Sequence, residues 1–371
     1  MLRPAGQRKR ASSGVVVRRR SPWPRSRPHR KEHFNVAVHA IKRGVSFYSF
    51  QEEYFLGQLD IEGCIKASAD IGALGIEIIP EQMMRGYPNI SDDFYRQWHS
   101  WMDAYGTTPV ASDLFIDTKK FPDRWLTVDE QVESVHRDLE IAHRLGATEI
   151  RAIINTPPEV MERAAPRAEE LGLHLLLEVH APFHYEHPWI LRHLEVMDRL
   201  QSPALGFMPD MGTYVERFPR VVTDHARREG GREDLLELIV GTYDAHGDVH
   251  GLMDTVYYMG GGPIETGMAR QATHYTWNDP RNMLDYMPYI HHIQAKFYEM
   301  TDDGVEYSIP YDKIIPVLIE GGYTGYLSSE YEGNRHIQDA FDVDSVEQVR
   351  RQHAMFQRLL DTDPDANTAK A

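Results

Sequence analysis

Residues 163–182, RAAPRAEELGLHLLLEVHAP, hold one complete structural unit: an amphipathic stretch, Gly172, and an apolar run that ends in Glu178 and His180. A glycine there suits the left-handed residue that closes a helix before the next strand. The same helix, glycine, strand order recurs in CIKASADIGALGIEIIPE (64–81), IAHRLGATEIRAIINTP (141–157) and VLIEGGYTGYLSSEYEG (317–333). Strands alternating with helices at this rhythm indicate βαβ units and a parallel sheet. Eight strand candidates follow, at 45–50, 75–81, 108–117, 149–156, 174–181, 204–211, 290–298 and 325–331. Most are near-continuous apolar runs, as strands covered on both faces require.

The segments between them carry helix signals. Thr127 and Glu130 have capping-box spacing, and Val128, Val132, Val135, Leu139 and Ala142 then recur at helical period. Ser91 is a candidate cap for a helix whose inner face shows Phe94, Trp98, Trp101 and Tyr105. Pro157-Pro158 and Pro188 stand where helices can start. Eight strands and about eight helices predict a (β/α)8 barrel over residues 35–371. A doubly wound sheet would carry a glycine-rich phosphate loop after its first strand, and SFYSFQEEYF (46–55) is not one. About 80 residues separate Asp210 from Ile290, where one βα unit takes roughly 30–40. The excess, about 220–280, reads either as a surface helix with a loop or as a lid or partner surface.

The net charge of −16 hides an asymmetry. Residues 1–31 hold 11 Lys and Arg and no acid, which leaves 29 basic against 56 acidic residues beyond them, a balance of −27. A body that acidic repels nucleic acid. Residues 1–34, rich in Arg, Ser and Pro, cannot build a core and are expected to form a disordered basic tail. Arg18-Arg19-Arg20 is followed by no apolar segment, so a twin-arginine signal is not indicated. No apolar run approaches the roughly 20 residues that span a bilayer. The single Cys64 permits no internal disulfide. Cytoplasmic residence, without a membrane or nucleic-acid partner, is the expectation.

In barrels of this kind, catalytic groups lie at the C-terminal ends of the strands. Glu178, Asp210, Gln294 and Glu330 all stand at such ends, on the fifth to eighth strands. Three carboxylates and an amide meeting there repel one another unless a divalent cation joins them. An all-oxygen donor set favours Mn²⁺, or Mg²⁺, over Zn²⁺. Taken singly, each carboxylate could instead cap a helix or pair with a base.

A bound ion acidifies a C–H beside a substrate carbonyl, and a base must take the proton. His180, two residues past Glu178, shares its face and is the first candidate. Lys296 stands in the same relation to Gln294 and could balance charge or hold an oxyanion. Glu178 and Glu330 could shuttle protons as well. His184, Tyr185, His187 and Trp189 offer a pocket wall or rim packing, and Tyr48, Gln51 and Glu52 offer hydroxyl recognition.

Glu, Asp and Glu after strands five, six and eight resemble the xylose-isomerase-like isomerase and epimerase barrels. Those enzymes usually place a histidine where His292-Ile293-Gln294-Ala295-Lys296 has Gln294. SFYSFQEEYF, IEIIPEQM, RAIINTPPE, LEVHAPFHYEHPWI, MPDMG and QAKFYEM resemble the α subunits of bacterial C-glycoside deglycosidases. That resemblance implies a carbon–carbon lyase acting on 3-oxo-C-glycosides of flavonoid type. It implies a metal on Glu178, Asp210, Gln294 and Glu330, a catalytic His180, and a small β subunit as partner. The alternatives are a keto-sugar isomerase or epimerase working through an enediolate, an endonuclease-IV-like repair enzyme, and a non-catalytic scaffold.

Overall fold

Each helix–glycine–strand segment folds in its expected order in the computed structural model, which describes residues 40–361. The expected basic tail, 1–34, lies outside the described residues. The strands are β1 (Lys42–Ser46), β2 (Gly75–Ile78), β3 (Thr108–Leu114), β4 (Glu149–Ala152), β5 (His174–Val179), β6 (Leu205–Pro209), β7 (Ile293–Phe297) and β8 (Tyr326–Tyr331). All neighbours pair in parallel, in the order β6-β5-β4-β3-β2-β1-β8-β7. Two isolated bridges, Phe207 to Ile290 and Asp210 to Gln294, bring β6 against β7 and complete a (β/α)8 barrel.

Local chemistry accounts for the helix boundaries. Thr127 and Glu130 form the reciprocal capping box that opens the helix Val128–Leu145, and Gly146, at φ 81°, closes it. Gly172, at φ 68°, ends the helix Pro158–Leu171 directly before β5. Ser91 caps the helix Asp92–Tyr105 by accepting from Phe94 N at 3.3 Å. Trp98 on that helix is buried, together with Tyr95 and Met102. Among the described residues no helix is long and apolar enough to cross a membrane.

The first strand departs from expectation. It ends at Ser46, and Phe47–Phe50 forms a 3-10 turn. Ser49 explains the turn: its hydroxyl donates to Ser329 O at 2.9 Å and accepts from Tyr331 N at 3.0 Å, which ties this segment to β8.

The long segment between β6 and β7 is helical, with helices Arg220–Arg228, Glu233–Asp244, Leu252–Tyr258 and Pro263–Ala272. Its far end reaches back to the turn after Asp210. Thr276 and Asn278 both donate to Thr213 O, at 3.2 and 2.8 Å, and Tyr214 donates to Asn282 at 2.8 Å.

Where β6 meets the residues before β7 there is no room for a side chain on Gly206. A Cβ there would stand 2.6 Å from Tyr289 O and 2.5 Å from His291 Cδ2. Gly206→Ala is expected to destabilise the barrel by about 1–3 kcal/mol, measured by urea unfolding. Wild-type stability in that variant would show that the close approach is not required.

Candidate metal and acid–base site

Strand alternation builds the site in layers. Leu176 and Met208 lie two residues before Glu178 and Asp210 on the same faces. With Val110 and Ala111 they form an apolar cluster separate from the main core. Above it the barrel interior turns polar: Glu77, Asp113, Arg151, Glu178, Asp210, Gln294, Lys296 and Glu330 are all buried.

Two cations organise these groups. Arg151 Nη1 donates to Glu178 Oε1 at 3.0 Å and Gln294 Oε1 at 3.3 Å, and lies 3.9 Å from Glu330 Oε1. Its Nη2 donates to Asp113 Oδ2 at 2.7 Å. Lys296 Nζ lies 2.6 Å from Asp210 Oδ2, 3.3 Å from Glu332 Oε1 and 3.6 Å from Glu330 Oε2. The structure thus brings Glu178, Gln294 and Glu330 together around Arg151, and Asp210 and Glu330 together around Lys296. All four expected ligands sit in one cluster.

The orientation of Gln294 is fixed from behind. Its Nε2 donates to Glu77 Oε1 at 3.0 Å, so its oxygen faces Arg151. The reverse orientation would set an amide oxygen against a carboxylate. Glu77 is also engaged by His292, at 3.1 Å, and His292 meets Ser328 Oγ at 2.8 Å. Burial works to raise the Glu77 carboxyl, but His292, Arg151 and Gln294 prevail and draw it down to about 2.

His180 Nδ1 lies 2.5 Å from Ala181 O. A carbonyl can only accept, so Nδ1 carries a proton, and Nε2 is the ring atom that faces the cluster. That Nε2 stands 3.2 Å from Lys296 Nζ and 3.3 Å from Asp210 Oδ2. His180, Glu178 and Asp210 offer ligand atoms all within 4.8 Å of one another. The imidazole is therefore placed either to take a proton or to join Glu178 and Asp210 on an ion.

Electrostatics separate the carboxyl groups. For Asp210, burial raises the pKa, but Lys296 and His180 outweigh it and keep the group below its ordinary value. For Lys296, burial works to lower the pKa, yet Asp210, Glu330 and Glu332 hold the ammonium well above its usual range. Burial pushes Glu330 well above the carboxylate range, and Lys296 only partly opposes this. Glu330 Oε2 is buried with no hydrogen-bond partner. A buried carboxylate oxygen without a hydrogen-bond partner, in one cluster with Glu178 and Asp210, fits a divalent cation.

The flanking expectations fare unevenly. Tyr48 reaches the rim of the site, donating to Glu332 Oε1 at 2.9 Å, whereas Gln51 pairs with Gln82 on the surface. Tyr185 is not a pocket wall: it is fully buried and stacked on Tyr286 at 4.3 Å. Trp189 donates to Ile154 O at 2.7 Å, and His187 caps the helix Pro188–Leu200, so both act in holding the chain. Sequence reading passed over Glu77, Asp113, Arg151 and Glu332. The signal was there for three of them, as single charges inside the apolar runs GIEII, ASDLF and IRAII.

An eight-stranded parallel barrel with acidic strand ends defines a class. The chain belongs to the xylose isomerase-like TIM barrel family, which matches residues 65–359. A sugar phosphate isomerase/epimerase from Parabacteroides distasonis shares the fold, with a TM-score of 0.51, 15% identity, and coverage of 87% of this chain and 96% of that one. Within the family the chain groups with the C-glycoside deglycosidase alpha subunits. It is 33% identical to one from Arthrobacter globiformis over 84% of this chain and 90% of that protein. It is 30% identical to a 3'-dehydrocarminate deglycosidase alpha subunit from a Microbacterium species, over 88% of this chain and 97% of that one.

Proposed function

We propose that this chain is the α subunit of a metal-dependent carbon–carbon lyase that releases the aglycone from 3-oxo-C-glycosides. The observation that carries the reading is the placement of His180 Nε2 inside the carboxylate cluster, 3.3 Å from Asp210 and 3.2 Å from Lys296. The relatives named for C-glycoside and 3'-dehydrocarminate deglycosylation support the substrate class. Glu178, Asp210, Gln294 and Glu330 would hold a divalent ion, Mn²⁺ or Mg²⁺. Bound there, it would polarise the sugar C3 carbonyl and so acidify the C2 proton.

His180 Nε2 takes the C2 proton, and the freed electron pair forms C2=C3 as the C3 oxygen gains charge. As C3=O re-forms, C1=C2 forms and the C1–aglycone bond breaks. The electron pair leaves on the aglycone carbon, where a neighbouring phenol oxygen delocalises it. The His180 imidazolium returns the proton to that carbon, so atoms and charge balance without an oxidant. Asp210, at 3.3 Å, stabilises the imidazolium between the two transfers. Lys296 keeps Asp210 ionised and supplies positive charge near the developing oxyanion.

The name α subunit, carried by the relatives, supports a second, small subunit in the active complex. The test is incubation of the purified chain, its partner subunit and Mn²⁺ with a 3-oxo-C-glucoside. Free aglycone and an unsaturated keto-sugar are expected, with the release abolished by chelation and restored by Mn²⁺. Inverted sugar stereochemistry with the aglycone still attached would select an epimerase instead.

A further inference from the structure

A cavity of about 490 Å³ lies between the segments that follow β2 and β3, within the usual size range of small-molecule pockets. We infer that this cleft is the subsite for the flat, phenol-bearing aglycone, a deepening that rests on the lyase reading above. Phe115 connects the two places. It lies two residues past Asp113 and lines the cleft, and its ring centroid is 5.7 Å from the Arg151 guanidinium. Arg151 in turn touches Glu178. One side chain therefore separates the cleft from the cation that gathers the carboxylates.

Charged side chains, among them Asp117, Lys120 and Arg137, make up much of the remaining wall, and the apolar side chains between them are held in place. Tyr87, Phe121 and Leu126 face the cavity. The Tyr87 hydroxyl donates to Asp138 Oδ1 at 2.8 Å and accepts from Arg137 at 2.9 Å, which fixes its ring. Phe121 lies 4.2 Å beneath the Arg124 guanidinium, and Arg124 is clamped by both oxygens of Glu130, each at 2.7 Å. Rings already fixed lose little freedom when they stack on a planar ligand. Glu81 and Glu133 also line the cleft and make no side-chain hydrogen bond or ion pair among the described residues, so their oxygens can accept from phenolic hydroxyls. By contrast, a hollow of about 340 Å³ between residues 287 and 325 lies at the N-terminal ends of β7 and β8, away from the carboxylates.

The test uses the full chain with its partner subunit and Mn²⁺, as wild type and as Phe121→Ala, with Phe121→Tyr as the conservative variant. Two 3-oxo-C-glucosides are compared, one with a flavone aglycone and one with a single phenol ring, and binding of the free flavone apigenin is titrated. Phe121→Ala should raise KM for the flavone substrate and Kd for apigenin about tenfold, with kcat retained. The phenol substrate should change less than about twofold, and Phe121→Tyr should restore the flavone values. Wild-type turnover with flavone KM and apigenin Kd insensitive to Phe121 overturns the cleft alone. Apigenin binding that depends on Phe121 without any aglycone release keeps the cleft and overturns the reaction. Neither turnover nor apigenin binding in the wild type overturns both.

Discussion

His180→Asn is expected to lower kcat by roughly 10²–10⁴-fold, the usual contribution of a positioned general acid–base group. The amide cannot take the C2 proton, yet it can still donate to Ala181 O, so the loop after β5 should keep its course. KM should move little, because His180 contributes to proton transfer more than to holding the sugar. A Mn²⁺ titration of the same variant separates the two roles the geometry allows. Unchanged Mn²⁺ affinity identifies His180 as the base. Weaker affinity together with the loss of turnover would make it a ligand beside Glu178 and Asp210, and the base would have to be sought elsewhere. Wild-type turnover in the variant would remove His180 from the reaction altogether.

Arg151→Met should cost about 3–5 kcal/mol of stability, the range found when one member of a buried charge network is removed. The guanidinium donates to Glu178, Gln294 and Asp113, and lies near Glu330. Methionine fills similar volume but leaves these acceptors facing one another in a dry interior. Urea unfolding in the presence of a chelator measures the loss. The pH dependence has a definite sign. Burial already holds the Asp113 carboxyl well above its ordinary pKa, against the pull of Arg151. Such a group binds its proton more tightly folded than unfolded, so native stability relative to the unfolded chain rises as pH falls through that range. Without Arg151 the effect should grow, and the variant should be partly rescued in mild acid. Wild-type stability at neutral pH would show that Arg151 does not neutralise the cluster.

The fold was legible because its signals are local. Gly146 and Gly172 end helices through their own backbone conformation, and Thr127 with Glu130 starts one three residues apart. The four strand-end side chains were legible for the same reason, since alternation along a strand assigns their face. The first strand was misplaced because Ser46–Phe50 is as apolar as a strand, and only contacts from Ser49 to β8 turn it. Arg151 escaped notice because its meaning lies across the barrel. Nothing beside it in sequence announces Glu178, Gln294 or Asp113. Tyr185 misled in the opposite direction, as its aromatic, histidine-rich surroundings suggest a pocket while the ring completes a buried stack with Tyr286.

The β6–β7 boundary has a consequence for how the cylinder holds its shape. Every other neighbouring pair is zipped by several consecutive residues, but here two solitary bridges stand, and one of them joins Asp210 to Gln294. An ion gripped by both residues would act as a rivet at the weakest stave of the cask. Loading the protein for chemistry and fastening its walls would then be one and the same event.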